Sequence, residues 1–304
     1  MRTAPDCLPC FLQQALRVAR LNGCGQKQEI EVMRAVAALL PECDFLESPP
    51  VNAIQVYGTI AEITGCRDPY LNVKQIENDR ALQALPVLKE EIVAAPQPLM
   101  AAIGFAIAAN IIDYGAASRF DVAGTFAKCR EMQFAIDHRQ RLLAAVEGLR
   151  PGASVLYLAD NCGEIIYDSL VVELLNRAGL DVTVVVRGAP IINDALLADA
   201  EQAGIGTYAR IITNGTACPG TPLMLCSGDF RRRFREADLV ISKGQGNFET
   251  LSEAEREIFF LLTVKCKVVA AHVSELVGGA EKLAGNGELV VYHQPGGSGE
   301  KRYS

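Results

Sequence analysis

The chain has 304 residues, 50% of them hydrophobic, a formal net charge of −7 and a sequence pI near 5.2. That length and apolar content can bury a large core in two structural units. The acidic balance, with no basic run interleaved with aromatics, excludes a general nucleic-acid-binding role. The longest apolar stretch, 98–109, is too short to span a bilayer and is followed by Asn110 and Asp113, so no membrane association is expected. The opening Met1-Arg2-Thr3-Ala4-Pro5-Asp6 carries no apolar leader, and a cytoplasmic location is the expectation.

From Pro5 to about Leu149 the apolar spacing is helical rather than alternating. Asn22-Gly23 closes a first helix, Pro41-Glu42-Cys43-Asp44 a second, and Ser48-Pro49-Pro50 starts a third that runs to Gly65. Asp68-Pro69-Tyr70 opens a further helix carrying Lys74, Asn78 and Asp79. Residues 1–150 are therefore read as an all-helical unit. Around Pro151-Gly152 the period changes, and short apolar runs begin to alternate with amphipathic stretches. Strands are expected at 153–159, 181–187, 208–213, 238–242, 267–271 and 288–292. Residues 151–304 thus read as an α/β unit, a mainly parallel sheet covered by helices on both faces. Arg231-Arg232-Arg233 with Arg235 forms the densest basic stretch and reads as a solvated helix face.

Three of the expected strands end in polar clusters: Asp160-Asn161-Cys162-Gly163-Glu164, Arg187 with Pro190-Ile191-Ile192-Asn193-Asp194, and Lys243-Gly244-Gln245-Gly246-Asn247. In an open parallel sheet the carboxyl ends of the strands line one crevice, so these clusters can share a site. Asp160, Asn161 and Asp194 make a set of two carboxylates and one carboxamide suited to Mg²⁺ or Mn²⁺ rather than Zn²⁺. Each taken alone also reads as an ordinary helix N-cap. Lys243 supplies a point charge, and Gly244 and Gly246 allow backbone N–H groups to approach a bound anion. A plain turn is the competing reading of that loop. No Gly-x-Gly-x-x-Gly follows the first strand, which argues against a dinucleotide cofactor. Asn110 and Asp113, three apart on one helical face, either cap that helix or face the crevice and touch substrate.

Cys7-Leu8-Pro9-Cys10 places two thiols at a helix start. No second Cys-x-x-Cys exists, and His138, His272 and His293 are scattered without ligand spacing, so small packing residues are favoured over a closed zinc site. The ten cysteines lack a framework spacing and read as reduced thiols.

The ordered set Asn110-x-x-Asp113-x-Gly115, Asp160-Asn161-x-Gly163-Glu164-x-x-x-Asp168, Pro190-x-x-Asn193-Asp194 and Lys243-Gly244-x-Gly246-Asn247 resembles the metal-dependent damage-control phosphatases. This family was formerly a domain of unknown function and is related to a protein first described as an acidic-residue methyltransferase. Cys7-x-x-Cys10 and Asp68-Pro69-Tyr70 are similar to its prokaryotic and archaeal branch. The resemblance implies a helical unit packed on a three-layer α/β/α Rossmann-like sandwich. It also implies hydrolysis of small phosphomonoesters, sugar phosphates or damaged phosphometabolites, supported by Mn²⁺, Mg²⁺, Ni²⁺ or Co²⁺. By position, Asp160, Asn161 and Asp194 are its implied metal ligands and Lys243 its phosphate contact, with Asn247, Glu164, Asn110 and Asp113 at motif positions near the substrate. Either a water or Asp160 itself would attack phosphorus. Two other classes stand beside this one: methyl transfer from S-adenosylmethionine to a carboxylate, and a non-enzymatic metal- or redox-responsive module built on Cys7 and Cys10.

Overall fold

In a computed structural model of the chain, residues 1–108, 133–279 and 283–297 are described. Asn110, Asp113 and Gly115 lie outside them. Helices α1 (Cys7–Leu21), α2 (Gln26–Leu39) and α3 (Pro49–Thr64) pack around Phe11, Ala15, Val32, Val36, Val56 and Ile60. The third starts with prolines in its first turn and stops at Gly65, whose φ of 68° is the left-handed conformation of a helix end. Two further helices follow, α4 (Leu71–Ala94) and α5 (Pro98–Ala108). Among the described residues no helix is long and apolar enough to cross a membrane.

Seven strands form one sheet: β1 (Phe134–Asp137), β2 (Ser154–Leu158), β3 (Asp181–Val186), β4 (Arg210–Thr213), β5 (Leu239–Lys243), β6 (Ile258–Val264) and β7 (Glu288–Gln294). Their order is β1-β7-β6-β5-β2-β3-β4, parallel except where β7 runs antiparallel to β6. The α/β expectation, with a mainly parallel sheet and N-terminal helices, is met. Three details differ. β1 falls within the segment read as all-helical and pairs with β7 at the sheet edge. Leu88 and Ile92 of α4, and Ile103 and Phe105 of α5, share one buried core with the strands. Finally, 267–271, expected as a strand, is the first half of a helix, and the strand in that region is β6. Every residue of β6 is buried, so it shows no alternation, and a short apolar run cannot be assigned by periodicity alone.

Alternate residues of β2 divide the two faces. Val155 and Tyr157 join the core beneath α4, α5, α6 (Arg139–Glu147) and α7 (Glu164–Arg177). Leu156 and Leu158 join the core beneath α9 (Gly228–Glu236), α10 (Gln245–Leu251) and α11 (Lys267–Leu276). The short α8 (Leu197–Gln202) follows β3. After β2 the chain builds outward through β3 and β4, then returns to place β5 on the other side of β2. That reversal opens a crevice at the carboxyl ends of β2 and β5.

Candidate active site

The turn after β2 and the turn after β3 are joined by their backbones. Ala195 N–H donates to Asp160 O (2.8 Å), Cys162 N–H donates to Asn193 O (2.9 Å), and Asn161 and Asp194 form an isolated bridge. These contacts bring Asp160, Asn161 and Asp194 to one place. Ile192, two residues before Asp194, has a φ of 43°, the one positive value at a non-glycine among the described residues. Such strain costs on the order of 1–3 kcal/mol and persists only where the surroundings enforce it. Here Ile192 packs against the helical cluster of α1, α2 and α3.

Helix α4 clamps the first turn from above. Asn78 Oδ1 accepts Gly163 N–H (2.6 Å), while its Nδ2 donates to Asp199 Oδ1 (2.7 Å) and Gln202 Oε1 (2.9 Å). Gly163 takes φ 70°, which lets the chain turn sharply into α7. Gly244 is required for a different reason: a Cβ there would overlap the Asp160 carboxylate, and its φ is 84°. The β5 turn thus leaves a hollow that the Asp160 carboxylate occupies.

Asn161 Nδ2 donates to Asp160 Oδ2 (2.8 Å) and to Glu164 Oε1 (2.7 Å). Arg187 is 2% exposed and donates Nε–H to Asp194 Oδ2 (2.6 Å) and Nη1–H to Thr221 Oγ1 (3.0 Å) and Asn247 Oδ1 (2.9 Å). Its Nη2 is buried without a hydrogen-bond partner and lies 3.8 Å from Asp160 Oδ1. Burial, then repulsion from Glu164 and Asp194, pushes the Asp160 carboxyl up to about 8 against the pull of Arg187 and Lys265. Burial likewise raises Asp194, with Arg187 opposing.

The β5 loop lies differently from the anion-facing role expected of it. Lys243 Nζ donates to Asp168 Oδ1 (2.8 Å), Ala106 O (3.0 Å) and Glu164 Oε2 (3.2 Å). An ammonium has three N–H bonds, and these partners use all of them. Gly244 N–H donates to Leu261 O. A Cβ at Gly246 would collide with Pro219 O, so this glycine admits a neighbouring loop. Asn247 donates to Ala159 O and Lys243 O and accepts from Arg187 and Thr221. In this arrangement the loop braces the site from within.

Arg187 went unassigned in the sequence because a residue ending a strand carries no mark of inward burial. Lys265 went unassigned because β6 itself was missed. Lys265 follows β6, which is parallel to β5 and so ends at the same edge. Its side chain is exposed and close enough to Asp160 to favour the ionised carboxylate. From the helical side, Tyr57 of α3 lies within electrostatic reach of Asp194, Tyr70 and Arg17.

Among the described residues no three His, Cys, Asp or Glu side chains converge as a ready metal cluster. The donor set that does converge counts the Asn161 carboxamide as its third member. Its charge fits a divalent cation: Asp160, Glu164, Asp168 and Asp194 meet two buried cations, Arg187 and Lys243. Fully ionised, that is an excess of two negative charges.

Cys7 and Cys10 both lie in the first turn of α1. Cys7 is buried in the helical core and Cys10 is exposed. Burial raises the Cys7 thiol, with Glu249 and Cys266 nearby. Cys7→Ala should cost about 1 kcal/mol, as for a small buried side chain, and leave turnover per folded molecule unchanged. Thermal melts and specific activity check this, and a drop in activity without a drop in stability would give the thiol another role.

Comparisons with known proteins identify a family. The model of the damage-control phosphatase ARMT1-like domain matches residues 3–279. A damage-control phosphatase of Archaeoglobus fulgidus is 32% identical over 287 residues, covering 91% of this chain and 97% of the relative. Another damage-control phosphatase, from Pyrococcus horikoshii, is 30% identical over 278 residues, covering 89% and 93%. The crystal structure of a DUF89 family protein from Pyrococcus horikoshii superposes with a TM-score of 0.85 at 27% identity, covering 96% of this chain and 99% of that one. With the family model spanning both the helical segment and the strands that carry Asp160, Asn161 and Asp194, the chain belongs to the damage-control phosphatase ARMT1-like family.

Proposed function

We propose that this protein is a divalent-metal-dependent phosphatase acting on small phosphomonoesters, in the class of sugar phosphates or damaged phosphometabolites. The observation that carries the reading is the convergence of two carboxylates and a carboxamide, from the turns after β2 and β3, at the sheet's switch point. The names of the archaeal relatives supply the reaction class.

Asp160, Asn161 and Asp194 would hold Mn²⁺, Mg²⁺, Ni²⁺ or Co²⁺, the hard or borderline cations that oxygen donors favour. When bound, the cation supplies Lewis-acid neutralisation of phosphoryl charge. The protein's own groups do the rest. Arg187 fixes Asp194 through its Nε–H and turns its unpartnered Nη2 toward Asp160. Glu164 orients the Asn161 amide, which leaves the carbonyl oxygen free to act as a ligand. Lys265 offers an exposed positive charge at the rim, suited to the non-bridging oxygens of a phosphate. The helical side, where Tyr57 lies within electrostatic reach of Asp194, would supply the wall against which the leaving group lies.

A phosphomonoester panel assayed with each divalent cation in turn tests the proposal. Hydrolysis that needs added metal and disappears with a chelator is the expected result, and turnover indifferent to metal would overturn the metal-dependent reading. Lys265→Ala should raise KM for p-nitrophenyl phosphate and weaken inhibition by free phosphate, about tenfold for one charge-assisted contact. Mn²⁺ affinity should change little. An unaltered phosphate inhibition constant would remove Lys265 from the anion site.

A further inference from the structure

Beneath the ligand turn runs a line of buried polar groups that neither metal binding nor phosphate contact uses directly. Tyr157 is fully buried in the middle of β2, and its O–H donates to Asp168 Oδ1 (2.8 Å). Asp168 sits one helical turn beyond Glu164 in α7, so the two carboxylates face the same way. Lys243, from the neighbouring strand β5, inserts its ammonium between them, 2.8 Å from Asp168 and 3.2 Å from Glu164. Glu164 then accepts Asn161 Nδ2–H, and that same amide donates to Asp160. Four side chains thus connect the sheet interior to both first-turn ligands.

We propose that Tyr157, Asp168 and Lys243 form a positioning relay that fixes Glu164, and through it the orientation of Asn161 and Asp160, for metal binding and turnover. The inference rests on the metal-dependent phosphatase reading of the site. Three features support a relay over a buried ion pair kept for stability. The ammonium's three donors are saturated, which holds it at a defined point. Glu164 has no exposed route to Lys243, being 7% exposed against 1% for the lysine. The carboxamide of Asn161 is oriented only by its contacts, because a free amide can rotate by half a turn and present nitrogen where the cation needs oxygen. Partners behind metal ligands of this kind are worth about 10–100-fold in affinity or activity.

The test compares wild type with Tyr157→Phe, Asp168→Asn and Asp168→Leu, measuring Mn²⁺ binding by calorimetry, and kcat and KM for p-nitrophenyl phosphate at saturating Mn²⁺. Tyr157→Phe keeps the ring and removes one hydroxyl that cannot reach substrate. The relay predicts a weakening of Mn²⁺ binding and a fall in kcat of about tenfold in Tyr157→Phe, with KM within about twofold. It predicts a graded series in which Asp168→Asn, which still offers Lys243 an acceptor, is milder than Asp168→Leu. Should Asp168→Leu not fold, Tyr157→Phe and Asp168→Asn, which leave the Lys243 ammonium facing Glu164, still decide the relay. Wild-type Mn²⁺ affinity and kcat in Tyr157→Phe and Asp168→Asn, with only the melting temperature lowered, would overturn the relay. If wild type binds Mn²⁺ but hydrolyses no phosphomonoester, the phosphatase reading falls and the calorimetric series still decides the relay. Failure of wild type to bind any of Mn²⁺, Mg²⁺, Ni²⁺ and Co²⁺ overturns both.

Discussion

Replacing Asp160 by Asn is expected to abolish metal-dependent hydrolysis and, at pH 8, to stabilise the metal-free protein. The carboxyl at 160 is lifted to about 8, first by burial and then by Glu164 and Asp194. In the unfolded chain the same group titrates near its ordinary value of about 3.9. Below that value both states are protonated and the group does not affect stability. Between about pH 4 and pH 8 the unfolded chain ionises while the folded one resists, so stability falls as pH rises, then levels off above the folded value. A neutral carboxamide of the same shape removes that loss. The metal-free variant should melt several degrees above wild type at pH 8 and close to it at pH 4.5, while showing no turnover with Mn²⁺. Adding Mn²⁺ should raise the melting temperature of wild type, because binding stabilises the folded state alone, and leave the variant unmoved. Equal melting temperatures of the two metal-free proteins at pH 8 would show that the carboxylate cluster is not short of positive charge.

The residues in that prediction were readable from the sequence because their signal is local. A strand followed by Asp-Asn-x-Gly, and a second followed by Asn-Asp, mark two turns at one sheet edge, and parallel topology joins them. The site's supporting structure was less readable because it is made of contacts between distant segments. Lys243 beside Gly244 looks like an anion contact until Glu164, Asp168 and the carbonyl of Ala106 are seen to take its three donors. Gly246 looks like room for a ligand, yet the room is filled by the Pro219-Gly220 backbone. Strand β6 was hidden by its uniform burial, and Lys265 was hidden with it. Turn chemistry announces where functional groups leave the sheet, whereas the direction a long side chain takes afterwards depends on partners dozens of residues away.

Arg187 is the supporting residue whose loss should cost the most stability. Its guanidinium holds Asp194 at 2.6 Å and joins Thr221 and Asn247, all within a buried cluster. Arg187→Leu would leave the Asp194 carboxylate without its opposing charge and remove one donor each from Thr221 and Asn247. Breaking one side of a buried pair in this way costs about 3–5 kcal/mol. Burial already raises the Asp194 carboxyl, and Arg187 is the main force opposing that rise. Without it the folded-state value climbs further, so the destabilisation should be larger at pH 8, where the unfolded chain is fully ionised, than at pH 5. In Arg187→Leu/Asp194→Leu the uncompensated charge is gone, and part of the lost stability should return even though the metal site does not. Urea denaturation of the metal-free proteins at the two pH values measures all three quantities. A single-variant loss below about 1 kcal/mol, the range of an exposed ion pair, or a double variant no more stable than the single one, would show that Arg187 does not hold Asp194 against its own burial.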